Sequence, residues 1–245
     1  MPMAICTMTG ASDSNDLSSL FRLSDAFPFV EWGVLYSESQ AGQGGRYPSF
    51  DWITRFIEQK QAASVPAKSA LHVCGGAVRD LIEGKGRVIE IADHFDRIQV
   101  NFRSPDFDIE AIRAMLRIRP KQTIITQHNE ANFHLWAFLY GVPNHAVLFD
   151  TSGGRGVECA EWLNPLPGKR CGYAGGLGPD NVFSELPKIL EAADGEEFWI
   201  DMEGKLRDAD DQFDLDRVKK VLTDVARIDI RRLRPLSPPQ DRPTA

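Results

Sequence analysis

Apolar runs bounded by turn residues recur along this chain, at residues 4–8, 30–36, 70–75, 97–102, 123–126, 145–150, 171–176 and 198–201. Most are continuous rather than alternating, the pattern of strands buried on both faces of a parallel sheet. Helical spacing fills the gaps between them. Phe50, Ile53, Phe56 and Ile57 share one face, behind Ser49 and Asp51 at a helix start, and Ile109, Ile112, Met115 and Leu116 share another. Segments 129–141, 180–195 and 214–228 complete the set, the first ending on Gly141 as a helix-terminating glycine. The stretch between the sixth and seventh strands carries only a weak, short helical pattern.

Eight β units alternating with helical units predict a single-domain α/β protein, a (β/α)8 barrel over residues 1–230. The tail, residues 231–245, is rich in proline, has no apolar periodicity and is expected to be disordered. One strand position breaks the apolar pattern. Glu31, beside Trp32, implies either a polar layer inside the barrel or a strand that begins one residue later.

Composition narrows the function. The 245 residues are 42% hydrophobic and 26% charged, with a formal net charge of −7. The acidic balance and the absence of a long basic run argue against a nucleic-acid partner. No apolar run reaches the ~18 residues of a membrane span, and the N-terminus lacks the basic and apolar regions of a signal peptide. Four cysteines without metal-type spacing suit a cytoplasmic protein with free thiols.

In such a barrel, chemistry belongs at the C-terminal ends of the strands, and phosphates bind at the loops after strands seven and eight. "YAGGLGPDNV", residues 173–182, occupies the first of those loops. Gly175, Gly176 and Gly178 either make a tight strand-to-helix turn or present bare backbone N–H groups to an anion. Gly204 stands at the equivalent place after strand eight. Asp150 ends strand six, either as an acid at the barrel mouth or as a cap of the next turn. Cys6 in strand one is either a small core residue or a thiol at the mouth, and Cys74 in strand three is equally open. His128 ends strand five. Arg46 lies in the glycine-rich loop after strand two, either as a cation at the active face or as a solvated arginine. No histidine–carboxylate metal pattern occurs, so neither metal nor cofactor is expected.

Together these motifs resemble the phosphoribosylanthranilate isomerase family from about Ala4 to Leu222. "AICTMTG" resembles Lys-Ile-Cys-Gly-Leu-Thr, and "YAGGLGPDNV" resembles Ala-Gly-Gly-Leu-x-Pro-x-Asn-Val, the most specific match. "VLFDTSGGRG" resembles Leu-Leu-Asp followed by Gly-Gly-Thr-Gly, and "IDMEGKLRD" occupies the place of Val-Asp-x-Ser-Ser-Gly-Val-Glu. The resemblance implies an Amadori rearrangement of a phosphorylated aminosugar in a monomer or homodimer. Cys6 would be the general base and Asp150 the general acid. Gly175, Gly176, Gly178 and Gly204 would bind phosphate; Arg46, Gln99, His128 and Gly154 would contact substrate. The chain departs from the family at Ala4, Thr7, Asn101, Met202 and Glu203. Ala4, Asn101 and Glu203 favour the alternatives: a phosphosugar-binding barrel with another reaction, such as an epimerase or lyase, or one with no catalysis.

Overall fold

The computed structural model describes residues 3–63, 66–150, 159 and 161–228. Its strands are β1 (Met3–Thr9), β2 (Val30–Tyr36), β3 (Lys68–Cys74), β4 (Arg97–Asn101), β5 (Thr123–His128), β6 (His145–Phe149), β7 (Arg170–Tyr173) and β8 (Phe198–Met202). Each pairs in parallel with the next, and β8 pairs with β1, so the sheet closes into an eight-stranded barrel. The helices around it are α1 (Leu17–Ala26), α2 (Phe50–Ala62), α3 (Gly76–Glu83), α4 (Arg87–Ala92), α5 (Ile109–Arg117), α6 (Leu135–Phe138), α7 (Val182–Ala192) and α8 (Leu215–Arg227).

Alternation along each strand divides the core in two. Cys6, Met8, Trp32, Val34, Val73, Ile98, Tyr173 and Ile200 point outward and pack beneath the helices. A smaller apolar layer of Ile125, Ala146, Leu148, Ala174 and Trp199 fills the barrel axis. Several other axial positions are polar. Arg97 on β4 holds Glu31 on β2 through two bonds, Nε to Oε2 at 2.8 Å and Nη2 to Oε1 at 2.5 Å. Thr7 on β1 donates to the same carboxylate at 2.8 Å, and the Arg97 guanidinium lies 4.6 Å over the Trp199 ring. The charge at Glu31 therefore belongs to a polar layer within the barrel. Gly33 and Gly172 make this crowding possible: a Cβ on either would lie 2.1 Å from Thr9 Oγ1 or from the Trp199 ring.

Helices α2, α5, α7 and α8 stand where the apolar spacing put them. Asp108 and Asp214 cap α5 and α8 by accepting backbone N–H bonds. Segment 129–141 behaves differently: only Leu135–Phe138 is helical, leaving Phe133, Phe138 and Tyr140 exposed.

Candidate active site

A cavity of about 160 Å³ opens at the C-terminal ends of the strands. The axial side chains at the tops of β3, β4 and β5, namely His72, Gln99, Asn101 and Gln127, form one wall. Asp150 after β6 and Asp201 on β8 stand on the other side. The β7 loop at Gly175–Leu177 and the β8 loop at Glu203–Lys205 complete the rim. Strand parity selects these residues, because alternate positions of each strand face the axis.

Asp201 is the most perturbed carboxyl of the cavity. It is 6% exposed, accepts a 2.8 Å hydrogen bond from Thr9 Oγ1, and lies 3.9 Å from His72 Nε2. Burial, reinforced by Glu203 and Glu31, pushes its pKa up to about 7, against the bond from Thr9 and the charge of Arg97. Burial and the nearby Arg97 push His72 down to about 3, so the imidazole beside Asp201 is neutral. Asp201 can thus give or take a proton near neutral pH. Asp201 stands at the aspartate of the Val-Asp-x-Ser-Ser-Gly-Val-Glu resemblance, which implies no role for it; what singles it out is the combination of depth and like-charged neighbours, which depends on barrel closure.

Asp150 reaches the cavity as expected. It is buried, and Gln127 Nε2 donates to its Oδ2 at 3.3 Å. Gln99 also reaches it, with Nε2 bonded to Asn101 Oδ1 at 3.1 Å and a buried Oε1 that has no partner among the described residues.

Cys6 does not reach it. Its side chain is fully buried in the outer layer beneath the helices, and burial together with Asp201 and Glu31 pushes its thiol above the usual range. The strand-one side chains that face the axis are Thr7 and Thr9. His128 is likewise turned away: the inward residue at the top of β5 is Gln127, and the His128 ring packs edge-on against Phe149, 5.5 Å between centroids. Gly154 lies outside the described residues.

The glycine loops divide by role. Gly175 (φ 119°) and Gly176 (φ 65°) adopt left-handed backbone at the rim, and among the described residues no hydrogen bond occupies their N–H groups. Gly204 also lines the rim with open space where a side chain would stand. Gly178 is structural instead. Its N–H donates to Asn181 Oδ1 at 2.9 Å, Asn181 Nδ2 donates back to the Gly176 carbonyl, and a Cβ on Gly178 would meet Lys205 Cβ at 2.3 Å.

Arg46 is fixed at the mouth. It donates from Nη1 to Glu203 at 2.9 Å and from Nε and Nη2 to the two oxygens of Asp211 at 3.2 and 3.0 Å. Buried Arg207 holds Asp211 from the other side, Nε to Oδ1 at 2.7 Å, and also donates to the carbonyls of Gly10 and Gly45. The loops after β1, β2 and β8 are thereby tied together.

No family model matches the sequence, and no curated protein does. Solved structures match over nearly the whole chain. Phosphoribosyl anthranilate isomerase from Thermus thermophilus aligns over 92% of this chain and 98% of its own, with TM-score 0.60 and 16% identity. The chain shares the (β/α)8 barrel fold of these structures. The Thermotoga maritima isomerase aligns with the same TM-score at 15% identity, over 91% and 98% of the two chains. A phospho-2-dehydro-3-deoxyheptonate aldolase from Thermotoga maritima matches with TM-score 0.56 and 9% identity, over 92% of this chain and 69% of its own. These structural neighbours are enzymes built on the same barrel. No helix among the described residues is long and apolar enough to cross a membrane.

Proposed function

We propose that this chain is a divergent member of the phosphoribosylanthranilate isomerase family that rearranges a phosphorylated aminosugar, with Asp201 in the general-base role that the motifs assign to Cys6. The observation that carries this reading is the pair of buried carboxyls, Asp150 and Asp201, at one cavity whose rim presents glycine N–H groups with no hydrogen-bond partner among the described residues. The phosphate rests on the amides of Gly175, Gly176 and Gly204, with Lys205 alongside. Asp150 donates a proton to the ribose ring oxygen as the bond from that oxygen to C1 breaks and the nitrogen lone pair moves in, leaving an open-chain iminium ion that keeps its N–H. Asp201 then removes the C2 proton, and the electron pair shifts to give an enolamine. Return of a proton to C1 and loss of the C2 hydroxyl proton yield the aminoketose.

Two carboxyls at one cavity also suit an epimerase, which removes a proton from a carbon and returns one to its opposite face. Product analysis separates the two, since only the rearrangement creates a ketone.

The phosphate site is tested first. Ribose 5-phosphate should raise the melting temperature of the wild-type protein, because a ligand of the folded state stabilises it by mass action. Gly176→Asp, which places a carboxylate at the rim, should abolish the shift. An unchanged shift in that variant, or none in wild type, would overturn the reading.

A further inference from the structure

Formation of the ketone releases the C2 hydroxyl proton. Asp201 cannot take it, because in the same step it gives its own proton to C1. A second acceptor is needed beside the C2 oxygen, and one side chain of the cavity stands there. His72 on β3 is 2% exposed and lines the cavity. Among the described residues no hydrogen bond engages its ring: Asp201 Oδ2 lies 3.9 Å from Nε2, an ion-pair separation beyond hydrogen-bond distance. A polar ring buried without a partner is costly, so a ligand that supplies one gains by doing so.

Asp201 fixes where the C2 oxygen lies. Thr9 Oγ1 donates to Asp201 Oδ1 at 2.8 Å, which leaves Oδ2 to take a proton from substrate. Oδ2 is also the oxygen that faces His72. A carbon that gives its proton to Oδ2 sits ~3–3.5 Å from it, and the hydroxyl on that carbon lies one bond further out. With Nε2 only 3.9 Å from Oδ2, the C–O bond spans the gap between the two side chains. The hydroxyl then falls within the ~2.6–3.2 Å of a proton-transfer contact with Nε2.

We infer that His72 is a further catalytic residue of this cavity, whose Nε2 accepts a hydrogen bond from the substrate's C2 hydroxyl and takes that proton as the enolamine becomes the ketone. The inference rests on the aminosugar rearrangement with Asp201 as base, and it completes that reaction's proton balance. The electron pair of the C1–C2 double bond takes the proton from Asp201 onto C1. The hydroxyl O–H bond breaks, its electron pair forms the C2 carbonyl, and its proton passes to Nε2 of the neutral ring, whose own hydrogen is on Nδ1. The imidazolium is a strong acid, because burial and Arg97 hold its pKa to about 3, and it releases the proton through the open cavity. One proton leaves for the one that Asp150 gave to the ring oxygen, and Asp150 recovers it from solvent.

The test is His72→Gln, assayed in deuterium oxide with N-phenyl-5-phosphoribosylamine. Ketone formation should fall on the order of 10²–10⁴-fold, the usual scale for a positioned acid or base. Asp201 still removes the C2 proton in this variant, exchanges it with solvent and returns deuterium. Recovered substrate should therefore carry more deuterium at C2 than substrate recovered from wild type, read by NMR. Loss of ketone formation and of exchange together, as a merely structural role would give, overturns the inference. Ketone formation within a few-fold of wild type also overturns it, and leaves the rearrangement through Asp201 standing. Retention of the ribose 5-phosphate shift in melting temperature shows that the variant is folded; where it is lost, His72→Asn must show the same split between ketone formation and exchange, and its absence there overturns the inference. A wild type that forms no ketone and exchanges no deuterium overturns the rearrangement and the role of His72 with it.

Discussion

Asp201 shows how a residue acquires a property that its neighbours in sequence do not confer. A carboxyl in the strand "FWID" is ordinary until the barrel closes and surrounds it with Thr9, His72, Glu31 and Glu203. Its pKa, raised to about 7, has a consequence for stability as well as for proton transfer. Between the ordinary carboxylate value and 7, the folded state holds a proton on Asp201 that the unfolded state has lost, so this group's contribution to stability falls as pH rises through that window. His72, held down to about 3, acts in the opposite sense: its contribution is present above the usual histidine value and is lost as pH falls. His145, also held to about 3 by burial, adds to the second effect. Asp201→Asn should therefore raise the melting temperature at pH 7.5 and make stability fall more steeply than in wild type on acidification from pH 6.5 to 4. Parallel pH profiles for the two proteins would mean that the carboxyl is not perturbed.

The proposed phosphate site is built chiefly on the β7 loop, whose sequence was legible because glycine, proline and asparagine each have a narrow backbone meaning. Gly175 and Gly176 adopt positive φ, and Asn181 bridges the Gly178 N–H and the Gly176 carbonyl. Gly178→Ala should separate this loop from Lys205, against which the new methyl collides. Overpacking of this kind costs ~1–3 kcal/mol, so denaturant melts should show lower stability and calorimetry a weaker ribose 5-phosphate affinity. Retention of both would show that the two loops do not touch as described. The strands were legible too: β2 runs from Val30 to Tyr36 as its apolar run does, and the other runs overlap their strands with shifts at the ends. Helices α1, α3 and α4 were not, since α3 and α4 are short and α1 mixes Leu17 and Leu20 with buried Ser24. What an apolar run cannot reveal is which alternate residues face the axis. That single degree of freedom put Cys6 and His128 on the outside, and Thr9, Gln127 and Asp201 within.

Over the whole molecule, the barrel axis combines a small apolar layer with a charged one. Arg97 joins β4 to β2 through Glu31, to β1 through Thr7 at 3.2 Å, and to β8 through the face of Trp199. An ion pair at this depth is weak evidence for stability, but removing one partner strands the other. Glu31→Gln should accordingly destabilise the protein by roughly 3–5 kcal/mol in urea unfolding, whereas a loss below about 1 kcal/mol, the scale of an exposed pair, would show that Arg97 is solvated or paired elsewhere. The same layer lies beneath the cavity and sets the field in which Asp201 and His72 titrate. Proton transfer by the buried aspartates, and not by the strand-one thiol, can be checked by turnover of an N-substituted 5-phosphoribosylamine at pH 7.5 in wild type, Cys6→Ala and Asp201→Asn. Cys6→Ala should stay within a few-fold of wild type, while Asp201→Asn should lose on the order of 10²–10⁴-fold, the usual scale for a positioned acid or base. Full activity in Asp201→Asn, or collapse in a well-folded Cys6→Ala, would contradict it.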